Sequence, residues 1–277
     1  MTAILQTGPA MTALPAPLKV TQARVLHSEW TKFRSLRSTV WTLLVAVVLM
    51  IGLGALFSAV TANQYHTFST GDRAQFDPIS TSLNGVGFAQ LAIGVLAVLM
   101  VTGEYTTGMI RSSLTVVPRR LPVLWGKLLV FAGIVLSISL VTSFVSFFVG
   151  QALLDSHDLG VSISSPGALR SVIGAALYLT VAGLIGMSIG SLLRSTAAGI
   201  STFVGAFFVV PPLAQLLPSS IGDHLVQYFP SNAGEAMYSG THGVTNVLSP
   251  WAGFGVLCAY AVVLIAAAAW RLRKTDA

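Results

Sequence analysis

Apolar residues run in six long blocks, at about residues 40–62, 85–102, 126–151, 171–193, 196–217 and 251–270, with polar punctuation between them. Each block approaches the roughly 20 residues that an α-helix needs to cross about 30 Å of hydrocarbon. In that solvent every backbone N–H and C=O must be satisfied within the segment, so the pattern predicts six transmembrane helices in an all-α integral membrane protein. A different period precedes them. Between Thr21 and Ser38, Leu26, Trp30, Phe33 and Leu36 recur at helical spacing, with Arg24, Lys32 and Arg34 mostly off that stripe and Arg37 near it. This predicts an N-terminal amphipathic interfacial helix over 21–38, Trp30 at the headgroup boundary and the basic face toward anionic lipid of the bilayer. The alternative is a helical extension of the first span into water. Residues 1–20, rich in Ala, Thr and Pro and lacking the apolar core of a secretory signal, read as a disordered tail, which leaves 39–277 as the six-span domain.

Composition agrees. Of 277 residues 54% are hydrophobic and only 9% charged, with a mean hydropathy of +0.79; such a chain has too little polar surface for a soluble domain. The net charge of +6 does not mark a nucleic-acid binder, because the basic residues sit at the ends of the apolar blocks instead of on one face. They report topology. With the amino terminus inside, the inner side holds thirteen Lys and Arg and the outer side only Arg73 and Arg170. That asymmetry predicts both termini in the cytoplasm. Asp72, Asp77, Asp155, Asp158, Asp223 and Glu235 fall outside. The lone cysteine, Cys258, lies in an apolar block and forms no intramolecular disulfide.

Several chemistries are disfavoured by pattern. No lysine follows the Gly-rich phosphate-loop spacing, so no ATP hydrolysis is expected from this chain, and no His, Cys or carboxylate cluster has metal-ligand spacing. The block centres carry essentially no charge, which argues against an ion-coupled transporter but leaves a channel or facilitator open. Arg194 marks a tight hairpin between the fourth and fifth blocks. Pro211-Pro212 predicts a kink or an end in the fifth, followed by a partly apolar outer loop, 218–250, that folds back onto the membrane. Gly186 and Gly190 form a GxxxG whose first reading is internal packing, with a dimer interface second. Phe203, Phe207 and Phe208, like Phe144, Phe147 and Phe148, are candidates to line a path for an apolar substrate, although packing is the commoner role.

The stretch of most interest is the polar loop Gly103 to Lys127, which holds Glu104 and four basic residues. On a helical wheel Tyr105, Met109, Ile110, Leu114, Val116 and Val117 occupy one half, and Thr107, Gly108, Arg111 and Ser112 the other. The apolar half suits the bundle and the polar half a soluble partner. Glu104, Gly108, the apolar turn from Ile110 to Leu114, Pro118 and Lys127 resemble the first cytoplasmic loop of type-2 ABC-transporter permeases, and the segment Phe229-Pro230-Ser231-Asn232-Ala233-Gly234 is similar to one found before the last span in close members. The resemblance extends over nearly the whole chain, though family loops usually carry more charge around the glycine. It implies the membrane half of a bacterial plasma-membrane exporter. Two six-span units, a homodimer or a pair with a similar sibling, would then form the path. Separate ATPase subunits, which would bring ATP and magnesium, would dock on the inner loops through Glu104, Tyr105, Gly108 and Arg111. Glu104 is expected at the amino end of the short docking helix. A passive channel and a non-transporting scaffold or sensor are the competing classes.

Overall fold

The computed structural model describes residues 21–108, 120–214, 216, 225–239 and 248–274. Among them every regular element is helical, and six helices are long and apolar enough to cross a membrane. An initial helix α1 (Gln22–Ser35) breaks at Leu36, whose backbone is extended, and α2 (Arg37–Gln64) then makes the first crossing. Two short helices follow at the far end, α3 (Thr70–Gln75) and α4 (Pro78–Leu83). Both start on a textually visible signal: Ser69 and Asp72 form a reciprocal capping box, and the Asp77 carboxylate accepts from the Ile79 and Ser80 amides ahead of Pro78. From there α5 (Val86–Thr106) returns, α6 (Arg120–Asp155) goes out, and α7 (Ala168–Leu193) comes back. At 36 residues α6 is about 54 Å long, well beyond the hydrocarbon thickness, so it projects past the membrane boundary.

The expected hairpin is present. Arg194 takes a left-handed conformation at φ 54° to close α7, and Ser195 caps α8 (Thr196–Val204) through its hydroxyl. The two prolines do not end the fifth span. A π-helical turn over Gly205–Val209 comes first, with the Val210 amide reaching back to the Gly205 carbonyl, and α9 (Val210–Ala214) continues through Pro211 and Pro212. The wider turn shifts the hydrogen-bond register ahead of the missing donors. Beyond it, α10 (Pro230–Glu235) begins in the Phe229–Gly234 segment, and α11 (Pro250–Lys274) makes the last crossing. The described part of the 218–250 segment packs on the helix bundle: Ala233, Ala236, Met237 and Tyr238 are buried, with α10 wedged against α11 and α7.

Burial identifies the centre. In the most apolar stretch of each span, 78% of α7 and 61% of the α4–α5 segment are buried, against no more than 33% for the other four. The outer helices therefore leave most of their apolar surface to lipid. Lipid tails are as apolar as leucine, so helix association must come from close van der Waals fit and polar contacts. The centre is built accordingly. Gly186 and Gly190 face α5, where an added Cβ would lie 3.0 Å from the Gly94 carbonyl and 3.2 Å from that of Val98, so the GxxxG serves internal packing. In the half away from the basic end, the Ser146 hydroxyl donates to the Ser82 carbonyl (2.8 Å), and Gln151 donates to the Pro78 carbonyl (2.9 Å), joining α6 to α4.

Candidate functional site

At the basic end of the bundle the last turns of α5 and α7 meet the first turns of α6, and α1 lies across α6. The contact face of α1 is the line Gln22, Val25, Glu29 and Phe33, one residue per turn. Gln22 donates to the Pro122 carbonyl (3.2 Å), Val25 packs on Gly126, and Phe33 joins the buried apolar core. Of the expected stripe, Phe33 lies on this inner face, Leu26 is half-buried, and Trp30 and Leu36 are exposed; the inner face also contains a carboxylate. A pattern count scores Glu29 as a solvent position, whereas its partner, Lys127, lies 98 residues away.

Lys127 holds the cluster together. Its ammonium lies 2.8 Å from Glu29 Oε2 and 2.8 Å from Glu104 Oε1, and its side chain is 6% exposed. A lysine at the start of a span ordinarily reaches outward to the boundary; Lys127 turns inward, because two carboxylates compensate for its burial. Lys32 sits on the rim, 2.8 Å from Glu29 Oε1 and 3.2 Å from Glu104 Oε1. Two cations and two anions leave the group neutral. Burial works against the Glu29 carboxylate, yet the ammonium groups of Lys127 and Lys32 outweigh it and hold its pKa below the ordinary value. Burial likewise disfavours the charged form of Lys32, but its bonds to Glu29 and its attraction to Glu104 hold its pKa above the ordinary value. A neutral, hydrogen-bonded set of this kind contributes little net stability compared with an apolar core, but it ties α1 to the bundle, because moving α1 away would take Glu29 from the buried Lys127 ammonium.

The residues expected to dock an ATPase are divided by the structure. Glu104 lies inside the last turn of α5, not at the start of a new helix, and its carboxylate is spent within the bundle. Its second oxygen, Oε2, is buried without a partner among the described residues, beside a cavity of about 30 Å³ that Tyr105, Ser191 and Arg194 also line. That is enough room for a water molecule. Tyr105 is half-buried with the Arg194 guanidinium 5.2 Å over its ring, a cation–π contact that links α5 to the α7–α8 hairpin. Arg271 of α11 donates to the Leu192 carbonyl in the same region. Gly108 is exposed and has φ 69°, the left-handed cap that ends α5; among the described residues no atom lies within 4 Å of where its Cβ would be. Arg111 and the turn from Ile110 to Leu114 lie outside the described residues.

The phenylalanines sit elsewhere. Phe203 and Phe207 are buried and stacked, with ring centroids 4.6 Å apart, and Phe203 fills the notch left by Gly94, where a Cβ would come within 2.0 Å of its ring. Only Phe208 of the three is partly exposed. Sequence reasoning missed Glu29, Lys32 and Lys127 as one unit. A signal existed: on the side carrying thirteen basic residues there are only three acids, Glu29, Glu104 and Asp276, and so few anions among so many cations are candidates for pairing.

Comparison with known families gives a match. The family described as "ABC-2 family transporter protein" is matched over residues 25–165, just over half of the chain and the stretch that runs from α1 to beyond the end of α6. No curated protein matches it.

Proposed function

The chain belongs to the ABC-2 transporter family, and from that membership we propose that it is the permease subunit of an ABC exporter, driven by a separate ATPase bound at its basic, cytoplasmic end. The single observation that carries the reading is the charge cluster. Glu104, four residues before Gly108, is tied at once to α1 and α6, so a push on the segment after Gly108 would reach three helices together. Arg111 is proposed as the contact for an acidic rim on the ATPase, and ATP with magnesium is assigned to that partner. A second copy or a similar sibling would complete the path, with the α8–π segment and Phe208 on its wall. Phe203 and Phe207 would reach that path only if α8 moved away from Gly94.

The test is co-expression with an ABC ATPase subunit from the same source. Arg111→Glu should leave the membrane level of the chain unchanged while lowering ATPase recovery and substrate-stimulated hydrolysis, and Arg73→Glu, at the opposite end, should change neither. Equal ATPase recovery with Arg111→Glu would remove that residue from the docking surface. Substrate movement in vesicles containing this chain without any ATPase would replace the exporter by a passive facilitator.

A further inference from the structure

The cavity beside Glu104 brings together hydrogen-bonding capacity that the protein leaves unused. It lies where α5, α6, α7 and α11 converge, and its walls are mostly apolar, with Val101, Val123 and Ala268 among them. Three polar side chains on its lining, Glu104, Lys127 and Ser191, have valence to spare. Glu104 is 8% exposed, and its buried Oε2 accepts from no described residue. An ammonium has three N–H groups; Glu29 and Glu104 take two of those on Lys127, and among the described residues the third has no acceptor. The Ser191 hydroxyl gives its proton to the Met187 carbonyl (2.9 Å), so toward the cavity it can only accept. Charge selects the occupant. A cation would lie beside the Lys127 ammonium and near the Arg194 guanidinium, and an anion beside a bare carboxylate oxygen, so both are repelled. What fits is a small neutral group that donates and accepts, and about 30 Å³ is roughly twice the smallest volume that holds a water.

We propose that this cavity binds one ordered water, which accepts from Lys127 and donates to Glu104 Oε2 and Ser191 Oγ. Three partners is the usual number for a buried water, and here they use all the spare valence. The water carries the charge cluster, which by itself joins α1, α5 and α6, across to α7 one turn before the hairpin at Arg194. A bridging water is nearly as favourable as a direct bond and can change partners in place. The hairpin can therefore shift against α5 and α6 without baring the Glu104 carboxylate.

The test is a cavity-filling cycle on the full chain in detergent, read as the apparent melting midpoint. Ala268→Val should expel the water, leave Oε2 buried without a donor and lower the midpoint by about 3 °C or more. In the background Glu29→Gln, Glu104→Leu and Lys127→Leu, where both charged partners of the water are gone, the same change should be neutral or stabilising. A raised midpoint in the parent would show a dry cavity and overturn the proposal; an equal loss in both backgrounds would show crowding and overturn it as well. A crystal structure of the parent in a lipidic mesophase gives a second reading that requires no variant to fold. A density peak about 2.7–3.2 Å from Glu104 Oε2, Lys127 Nζ and Ser191 Oγ is expected, whereas no peak, or a side chain bonded to Oε2, would remove the water site. Neither measurement includes an ATPase, so failure here leaves the exporter reading standing.

Discussion

Replacing Lys127 by Met should detach α1 from the bundle. In the folded chain the Lys127 ammonium is the one group bonded to both carboxylates from inside, and those side chains are only 3% and 10% exposed at Glu29 and Glu104. Removing one member of a buried pair typically costs about 3–5 kcal/mol, mostly from the charge left behind. Lys32 still reaches both carboxylates at 2.8 and 3.2 Å, so the lower end, about 3 kcal/mol, is expected. Lys32→Met should cost less, about 1 kcal/mol or under, because its side chain is 27% exposed and screened. Neutralising the three buried members together, as Glu29→Gln, Glu104→Gln and Lys127→Met, leaves only the rim ammonium of Lys32 charged, where it is 27% exposed, and should recover most of the loss. The assay is a cysteine pair, Val25→Cys with Gly126→Cys, in a Cys258→Ala background. A Cβ at position 126 would lie 2.8 Å from a Val25 methyl, within disulfide reach. Crosslinking should be high in the parent and in Lys32→Met, low in Lys127→Met, and high again in the triple variant, with apparent melting midpoints in detergent following the same order. The reasoning is refuted if Lys127→Met crosslinks like the parent, or if the triple variant is worse than Lys127→Met alone.

Three further outcomes are expected. Because the Glu29 pKa lies below its ordinary 4.5, its contribution is present above that value and lost as pH falls through the depressed one. Because the Lys32 pKa lies above its ordinary 10.5, its contribution is complete below that value and lost as pH rises through the raised one. The melting midpoint should therefore show no cluster-dependent change between those two limits, and a step between about pH 6 and 9 that vanishes in the triple neutral variant would contradict this. Gly108→Asn should keep normal expression and ATPase recovery, whereas Gly108→Val should lose about 1–2 kcal/mol from the left-handed cap; equal loss in both would point to the surface of Gly108 and not its backbone. Gly94→Ala should destabilise the bundle by about 1–3 kcal/mol through the clash with the Phe203 ring, and Phe203→Leu in the same chain should restore part of the melting midpoint.

How much of this was legible beforehand follows the range of the interaction involved. The six crossings were readable because covering a hydrocarbon slab depends on length and polarity along the chain, which are one-dimensional properties. The hairpin at Arg194 and the caps at Ser69 and Asp77 are likewise local, decided within four residues by side chains that meet nearby amides. Even the continuation past Pro211 and Pro212 rests on a π turn just ahead of them, though nothing in Gly205–Val209 announces that turn.

The inner face of α1 was not readable in this way. Glu29 turns inward because α5 and α6 bring Glu104 and Lys127 to one point, and only that meeting compensates for a buried carboxylate. The same holds for Phe203, whose place depends on the missing side chain of Gly94, 109 positions earlier. The sequence by itself determined that this chain is a six-helix membrane protein, which span ends carry the basic residues and that Arg194 marks a tight hairpin, since those follow from solvation and geometry of the local chain. Tertiary structure decided which charges are buried, which helix face is free for lipid and which glycines are needed, because each depends on a partner that the fold alone brings within a few ångströms.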